Sequence, residues 1–272
     1  MTTRAYDYII AKQIEWATNN GLRLQGSQGV RGKKMFTMKV GNNLFLPLSR
    51  DTRSEIEAGD GKELVGKNGL PARMQALHSS SAIGVNLFEH WRSQPNIAIP
   101  MAACGFSRQK VLSGAIKFEQ QYPVFANSKK DPNLDVVITP KRGMTCAIEC
   151  KFTEPYSSRR HGGLRETYLR DRSIWDNLSA TKRLARKITP DDAEFDHLHA
   201  AQLIRHILGL NQQIGHGRYR LLYLWYDAFG SEGANHRDEI QKFAAIVKAD
   251  GVNFLQHTYP VSYTHLTLPT KA

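Results

Sequence analysis

With 272 residues, 41% of them hydrophobic, the chain can hold one large domain or a core with a smaller appendage, and gross disorder is excluded. Its 37 Lys and Arg outnumber 25 Asp and Glu, giving +12 at pH 7 and a pI of about 9.7, which suits nucleic acid or an anionic membrane surface. No run approaches the roughly 18 apolar residues that cross a bilayer, and residues 1–8 lack the apolar stretch of a signal peptide, so nucleic acid gains as partner and no membrane is expected.

The chain opens on an amphipathic stretch (Tyr6, Ile9, Ile10, Ile14, Trp16), followed by a Gly- and Lys-rich segment over 26–43. A glycine-containing loop with Gly59, Gly61 and Gly66 comes next. Within it, Gly59-Asp60-Gly61-Lys62 lacks the spacing of a phosphate-binding P-loop and reads as a turn. Pro71 opens a predicted helix over 71–93, with Met74, Leu77, Ser81, Val85, Phe88 and Trp91 at helical spacing and a stop before Gln94-Pro95. A second short helix is expected over 101–112.

The periodicity then changes to that of strands, over 115–124, 134–139 and 144–152, with turn signals at Asp131-Pro132-Asn133 and Lys141-Arg142-Gly143. These three form an antiparallel set. Residues 156–190 are polar and rich in arginine. A helix follows over 193–210, carried by Phe195, Leu198, Leu203, Ile207 and Leu210. A near-continuous apolar run over 219–226 reads as a buried strand, then a helix over 239–249 and a last strand over 252–259. The order helix, three strands, helix, strand, with a further helix and strand behind, predicts an α/β core whose mixed sheet is covered by helices. No internal repeat or low-complexity tract interrupts it.

Cys104, Cys146 and Cys150 are odd in number and form no CxxC pair, which fits a reduced, cytoplasmic compartment with all three as small buried hydrophobes. Residues 261–272 resemble a translated adaptor sequence rather than an evolved tail, and are set aside from the functional reading.

The strands over 134–139 and 144–152 carry charge where apolar side chains belong. Glu149 and Lys151 are two positions apart, hence on one face of a strand. Buried charges persist when paired or bound to a metal. Asp135 on one strand and Glu149-Cys150-Lys151 on the next make a compact site for a hard divalent cation and a positively charged group. A structural Glu–Lys pair with an Asp at a strand edge is the plainer alternative.

This pattern, Pro132-Asn133-Leu134-Asp135, thirteen intervening residues, then Glu149-Cys150-Lys151, resembles the PD-(D/E)XK nuclease superfamily. The proline is displaced from directly before the aspartate. The resemblance covers the element order from about Pro71 to Tyr226 and leaves residues 1–70 as a region of unknown role. It implies a restriction-endonuclease-like core over 71–260. It also implies Mg²⁺, with Mn²⁺ able to substitute, held by the carboxylates of Asp135 and Glu149 and the backbone carbonyl of Cys150. Lys151 would orient the attacking water or stabilise charge developing on the phosphate. In such nucleases the preceding helix contributes an acidic residue near the metals, which makes Glu89 a candidate, with a solvated helix charge as the alternative. Glu119 has a similar, weaker status. Some branches place a glutamine on the later helix, where Gln202 and His206 share a face. The sequence Gln202-Leu203-Ile204-Arg205-His206 departs from the branch pattern that ends in tyrosine. The histidines show no zinc spacing and read as surface or capping residues.

Beyond Lys151 the chain carries Arg159, Arg160, Arg165, Arg170 and Arg172, then Lys182, Arg183, Arg186 and Lys187, with Tyr156, Tyr168 and Trp175 interleaved. Such a stretch offers phosphate contacts, though charge runs are more often solvated loops. Residues 23–39 are a second candidate DNA-contacting segment, without a base-reading motif. The expected protein is thus an Mg²⁺-dependent endodeoxyribonuclease, prokaryotic and of the restriction or defence kind, with DNA as partner and a homodimer as one open assembly. A repair or recombination nuclease of the same fold, a non-enzymatic DNA-binding protein on a decayed core, and a metal enzyme acting on another phosphate ester are the alternatives.

Overall fold

The computed structural model describes residues 4–28, 31–59, 63–105, 113–126 and 131–259. Residues 261–272, residues 106–112 of the second predicted helix and most of the Gly59–Lys62 turn lie outside them.

In chain order the N-terminal part contains α1 (Ala5–Asn19), the hairpin strands β1 (Leu24–Gln28) and β2 (Arg31–Thr37), and α2 (Arg50–Ala58). The core follows with α3 (Ser80–Arg92), α4 (Ala98–Ala103), β3 (Gly114–Gln121), β4 (Asn133–Pro140) and β5 (Thr145–Lys151). Then come α5 (Glu166–Arg170), α6 (Ser179–Lys187), α7 (Ala200–Gln213), β6 (Tyr219–Trp225), α8 (Gly230–Lys248) and β7 (Phe254–Thr258). The central sheet has the order β3-β4-β5-β6-β7, antiparallel from β3 to β5 and parallel from β5 to β7. This is the mixed, helix-covered α/β sheet that the element order predicts. Among the described residues no helix is long and apolar enough to cross a membrane.

Strand alternation sorts the side chains into two layers. Val136, Ile138, Cys146, Ile148, Cys150, Leu222 and Leu224 pack on one face with Val85 and Phe88 of α3. Val137, Ala147, Leu221, Tyr223 and Trp225 pack on the other with Leu203 and Ile207 of α7 and Phe243 of α8. A strand buried on both faces reads as a continuous apolar run, which is why β6 is recognisable without its neighbours. Leu44 and Ile56 join the α3-side core, so the first seventy residues and the sheet share packed side chains. Glu55 of α2 accepts the Phe118 amide of edge strand β3 at 3.0 Å and is held by two nitrogens of Arg92 at 2.6 and 2.9 Å. The edge is thereby covered.

Several boundaries differ from expectation because distant groups set them. The predicted helix over 71–93 begins only at Ser80, where the Ser79 hydroxyl accepts the Ala82 amide. Residues 71–79 instead contain a 3₁₀ turn (Arg73–Gln75), and Ala76 after it bridges to Phe36 of β2. The later helix begins at Ala200, not near 193, because the amides of Asp196, His197 and Leu198 all donate to the Glu239 carboxylate of α8. That helix in turn starts at Gly230, nine residues before its predicted start. The basic stretch over 156–190 is folded: Tyr156, Tyr168 and Trp175, interleaved there with arginines, turn inward and are buried. The three cysteines are free and buried.

Candidate active site

The site forms where β4 and β5 part. Their ladder pairs Ile138 with Cys146, Val137 with Ala147 and Val136 with Ile148. One step further the same register sets Asp135 opposite Glu149, beyond the last ladder pair. There the Asp135 carboxylate takes the place of a backbone acceptor, receiving the Cys150 amide on Oδ2 at 2.6 Å. Glu149 follows Ala147 at strand spacing and so projects on the α7 side of the sheet. Cys150 projects the other way, its thiol in the α3-side core, so only its backbone belongs to the site.

Glu149 is 1% exposed and surrounded by donors. Lys151 Nζ lies 2.5 Å from its Oε1, and Gln202 Nε2 donates to the same oxygen at 2.7 Å. His206, one turn along α7, brings Nε2 to 3.0 Å from Oε2. That approach is close enough for charge attraction but is not aligned as a hydrogen bond. Glu149 Oε2 and both ring nitrogens of His206 therefore have no hydrogen-bond partner among the described residues. The resemblance implies a glutamine here that holds the catalytic lysine or the DNA backbone; Gln202 instead bonds Glu149, and His206, the weaker of the two candidates on sequence grounds, approaches the same carboxylate.

Burial by itself pushes the Glu149 carboxyl up, but Lys151 and His206 outweigh it and hold it down at about 2. Burial pulls the Lys151 ammonium down; Glu149, Glu154 and Asp135 reverse this and keep it above its usual value. Asp135 is raised well above the ordinary carboxylate range by burial, then by Glu149 and Glu119. Glu119 is raised to about 8 by burial, then by Glu63 and Glu149. It stands opposite Asp135 in the β3–β4 register, in a left-handed conformation with φ of 49°. Gly59 packs closely against Glu119, since a Cβ at Gly59 would lie 3.1 Å from that of Glu119, a tight contact. Glu63 and Glu149 thus act on Glu119, and Glu149 and Glu119 on Asp135, with Lys151 offsetting part of that charge.

A cleft of about 720 Å³ opens onto Lys151 and Gln202. Glu63 and Glu154 also line it, neither singled out from the sequence. Both lie in segments without helix or strand periodicity, so no pattern marked them. Glu154 is fixed by the Ser80 hydroxyl at 2.6 Å and the Phe152 amide at 2.8 Å. His161 and His199 stack in the lining, ring centroids 4.6 Å apart and planes 15° from parallel. Burial lowers both, His199 to about 3, so these imidazoles are neutral at physiological pH. His206 and His236 are buried rather than superficial, His236 between the hydroxyls of Tyr156 and Tyr223.

Arg159 and Arg160 line the cleft. Arg165, Arg170 and Arg172 are exposed further along, Arg170 paired with Glu166 at 2.5 Å. The structure places Glu89 elsewhere. Its Oε1 accepts the Ser49 amide at 2.9 Å and its Oε2 the Thr52 hydroxyl at 2.6 Å, so the carboxylate is committed to the start of α2. Among the described residues no three His, Cys, Asp or Glu side chains form a metal cage by themselves.

A mixed sheet in this order, with acidic and basic side chains gathered where its central strands separate, defines a restriction-endonuclease-like protein. The chain belongs to the family described as restriction endonuclease associating with ARP, whose model matches residues 11–248. The match takes in most of the N-terminal region and strands β3 to β6, and ends with α8, before β7. No curated protein matches the chain, and no solved structure does.

Proposed function

We propose that this protein is an Mg²⁺-dependent endodeoxyribonuclease of the PD-(D/E)XK type, acting in restriction or defence. The observation that carries the reading is the convergence of Asp135, Glu149 and Lys151 at the parting of β4 and β5, with Lys151 facing the cleft.

The donor set suits a hard cation. Mg²⁺ is usually bound through one or two carboxylates, with water and substrate phosphate completing its shell, so a full protein cage is not required. Glu149 Oε2 is a buried oxygen without a hydrogen bond, and Asp135 and Glu119 are carboxyls whose proton affinity is raised by burial and then by neighbouring carboxylates. Asp135, Glu149 and the Cys150 carbonyl are the groups that would hold the ion. When bound, it supplies Lewis-acid polarisation of the phosphate and eases ionisation of a water.

The remaining roles belong to the chain's own groups. Lys151, kept protonated at neutral pH by its carboxylate neighbours, is unsuited to take a proton from water. Its place is to donate toward a phosphate oxygen as negative charge grows there. Gln202 holds Glu149 in place, while Lys151 and His206 keep its carboxylate ionised. Arg159 and Arg160 offer the backbone phosphates a cationic wall, with Arg165, Arg170 and Arg172 extending it.

Supercoiled plasmid with Mg²⁺ tests the reading, beside Glu149→Ala, Lys151→Ala and an EDTA control. Wild-type protein is expected to nick or linearise the plasmid, and each variant to lose at least about 100-fold in rate. Cleavage that persists in both variants refutes the site. Salt-sensitive binding to several DNA substrates without cleavage favours a non-enzymatic DNA-binding protein.

A further inference from the structure

The β1–β2 hairpin stands outside the central sheet and has a distinct charge. Residues 22–40 hold five basic side chains (Arg23, Arg31, Lys33, Lys34, Lys39) and no acidic one. All five are exposed. Elsewhere the basic side chains often have partners, as in Arg92–Glu55, Arg73–Glu63 and Lys242–Glu194. Among the described residues none of these five forms an ion pair. Like charges gathered on one ribbon repel one another, and no ion pair within the fold offsets that cost.

The root of the ribbon is rigid. Thr37 is fully buried, its carbonyl receiving Gln75 Nε2 at 2.7 Å and Gln25 Nε2 at 2.9 Å. The Leu77 amide donates to the Met35 carbonyl at 3.0 Å, and Phe36 bridges to Ala76. Phe36 also lines the active-site cleft, edge-on to His78. The strand that carries the exposed lysines thus also contributes Phe36 to the cleft. Lys33 is three residues from Phe36, about 10 Å along a strand. A duplex carries about six negative charges over that axial length. A two-stranded ribbon is also an element that the major groove admits.

We propose that the β1–β2 ribbon is a second DNA-binding element, gripping duplex that flanks the cleft through Arg31, Lys33 and Lys34. This rests on DNA being the substrate, but its test does not depend on cleavage. The element supplies sequence-independent affinity and lengthens the footprint beyond the arginines after β5.

The test is fluorescence anisotropy of a labelled 30-base-pair duplex over a salt series in EDTA, comparing wild type with R31A/K33A/K34A. These side chains are solvent-exposed, so the variant is expected to melt at the wild-type temperature, which a thermal scan checks. Removing a cation that neutralises one phosphate lowers the log–log salt slope by about 0.9. The slope is therefore expected to fall by about 2 to 3, with affinity at least about tenfold weaker near 0.1 M salt. An unchanged slope overturns the proposal. So does weakened binding to phosphatidylserine vesicles with DNA binding intact, which would assign the ribbon to a membrane surface. If the slope falls as expected while wild type with Mg²⁺ leaves plasmid uncut, the ribbon stands and the nuclease reading fails.

Discussion

Glu89 gives the sharpest separation between a residue that builds the site's surroundings and one that takes part in chemistry. It is 8% exposed, and its two oxygens accept from the Ser49 amide and the Thr52 hydroxyl at the start of α2. In Glu89→Ala both charge-assisted hydrogen bonds disappear, each contributing about 1.5–3 kcal/mol net in such settings. The two are coupled through one carboxylate, and water can reach part of the space, so a total of about 3 kcal/mol is expected. α2 also carries Glu55, which holds the amide of Phe118 on β3, so loosening α2 exposes the sheet edge. Urea denaturation is expected to show a midpoint lower by about 1 M, taking a slope of about 3 kcal/mol per M. Glu89→Gln keeps an acceptor and is expected to lose about half as much. Plasmid cleavage per folded molecule, measured well below the melting temperature, is expected to stay within about threefold of wild type. An unchanged urea midpoint together with lost cleavage refutes the reasoning and returns Glu89 to the metal site.

Two further outcomes follow from the carboxylates and α7. The Glu119 carboxyl lies at about 8 in the fold against a usual 4.5, so the folded chain holds that proton more tightly than the unfolded one. Its stabilising contribution is complete below about pH 4.5 and is lost as pH rises through about 8, with a ceiling of about 5 kcal/mol at 1.36 kcal/mol per pH unit. Without divalent ions, wild type is expected to lose stability between about pH 6 and pH 8.5, and Glu119→Gln to lose about 1–3 kcal/mol less. Equal slopes in the two proteins, read from urea midpoints, count against the charge cluster. Gln202→Leu removes one donor from Glu149 Oε1 while Lys151 remains. About tenfold slower cleavage is expected, with a higher half-saturating Mg²⁺ concentration and unchanged duplex affinity in EDTA. A rate loss with the Mg²⁺ dependence unaltered would argue against positioning through Glu149.

The parts of the fold legible in the sequence are those set by neighbours along the chain. The strands β4, β5 and β6 are buried on both faces, so their apolar runs identify them unaided. The charges of Asp135, Glu149 and Lys151 stand out against that background. Helix starts were less legible, because Glu239 holds residues 196–198 out of α7 from a position some forty residues away. Tyr156 and Trp175 sit among arginines in the sequence, yet tertiary packing buries them. Glu63 lies in an irregular segment and Glu154 in a single 3₁₀ turn, so neither carried a periodic signal.

The sequence by itself determined the kind of sheet, the strand face shared by Glu149 and Lys151, the basic character of residues 22–40 and the acidic and basic groups available for chemistry. These depend on strand and helix periodicity and on composition, which act over a few residues. Only the tertiary structure decided which charges meet. It brought Glu119 opposite Asp135, Gln202 and His206 onto Glu149, and Phe36 into the cleft, and it committed Glu89 to α2. Burial and charge–charge interaction depend on distance in space, and a strand or helix pattern does not record that distance.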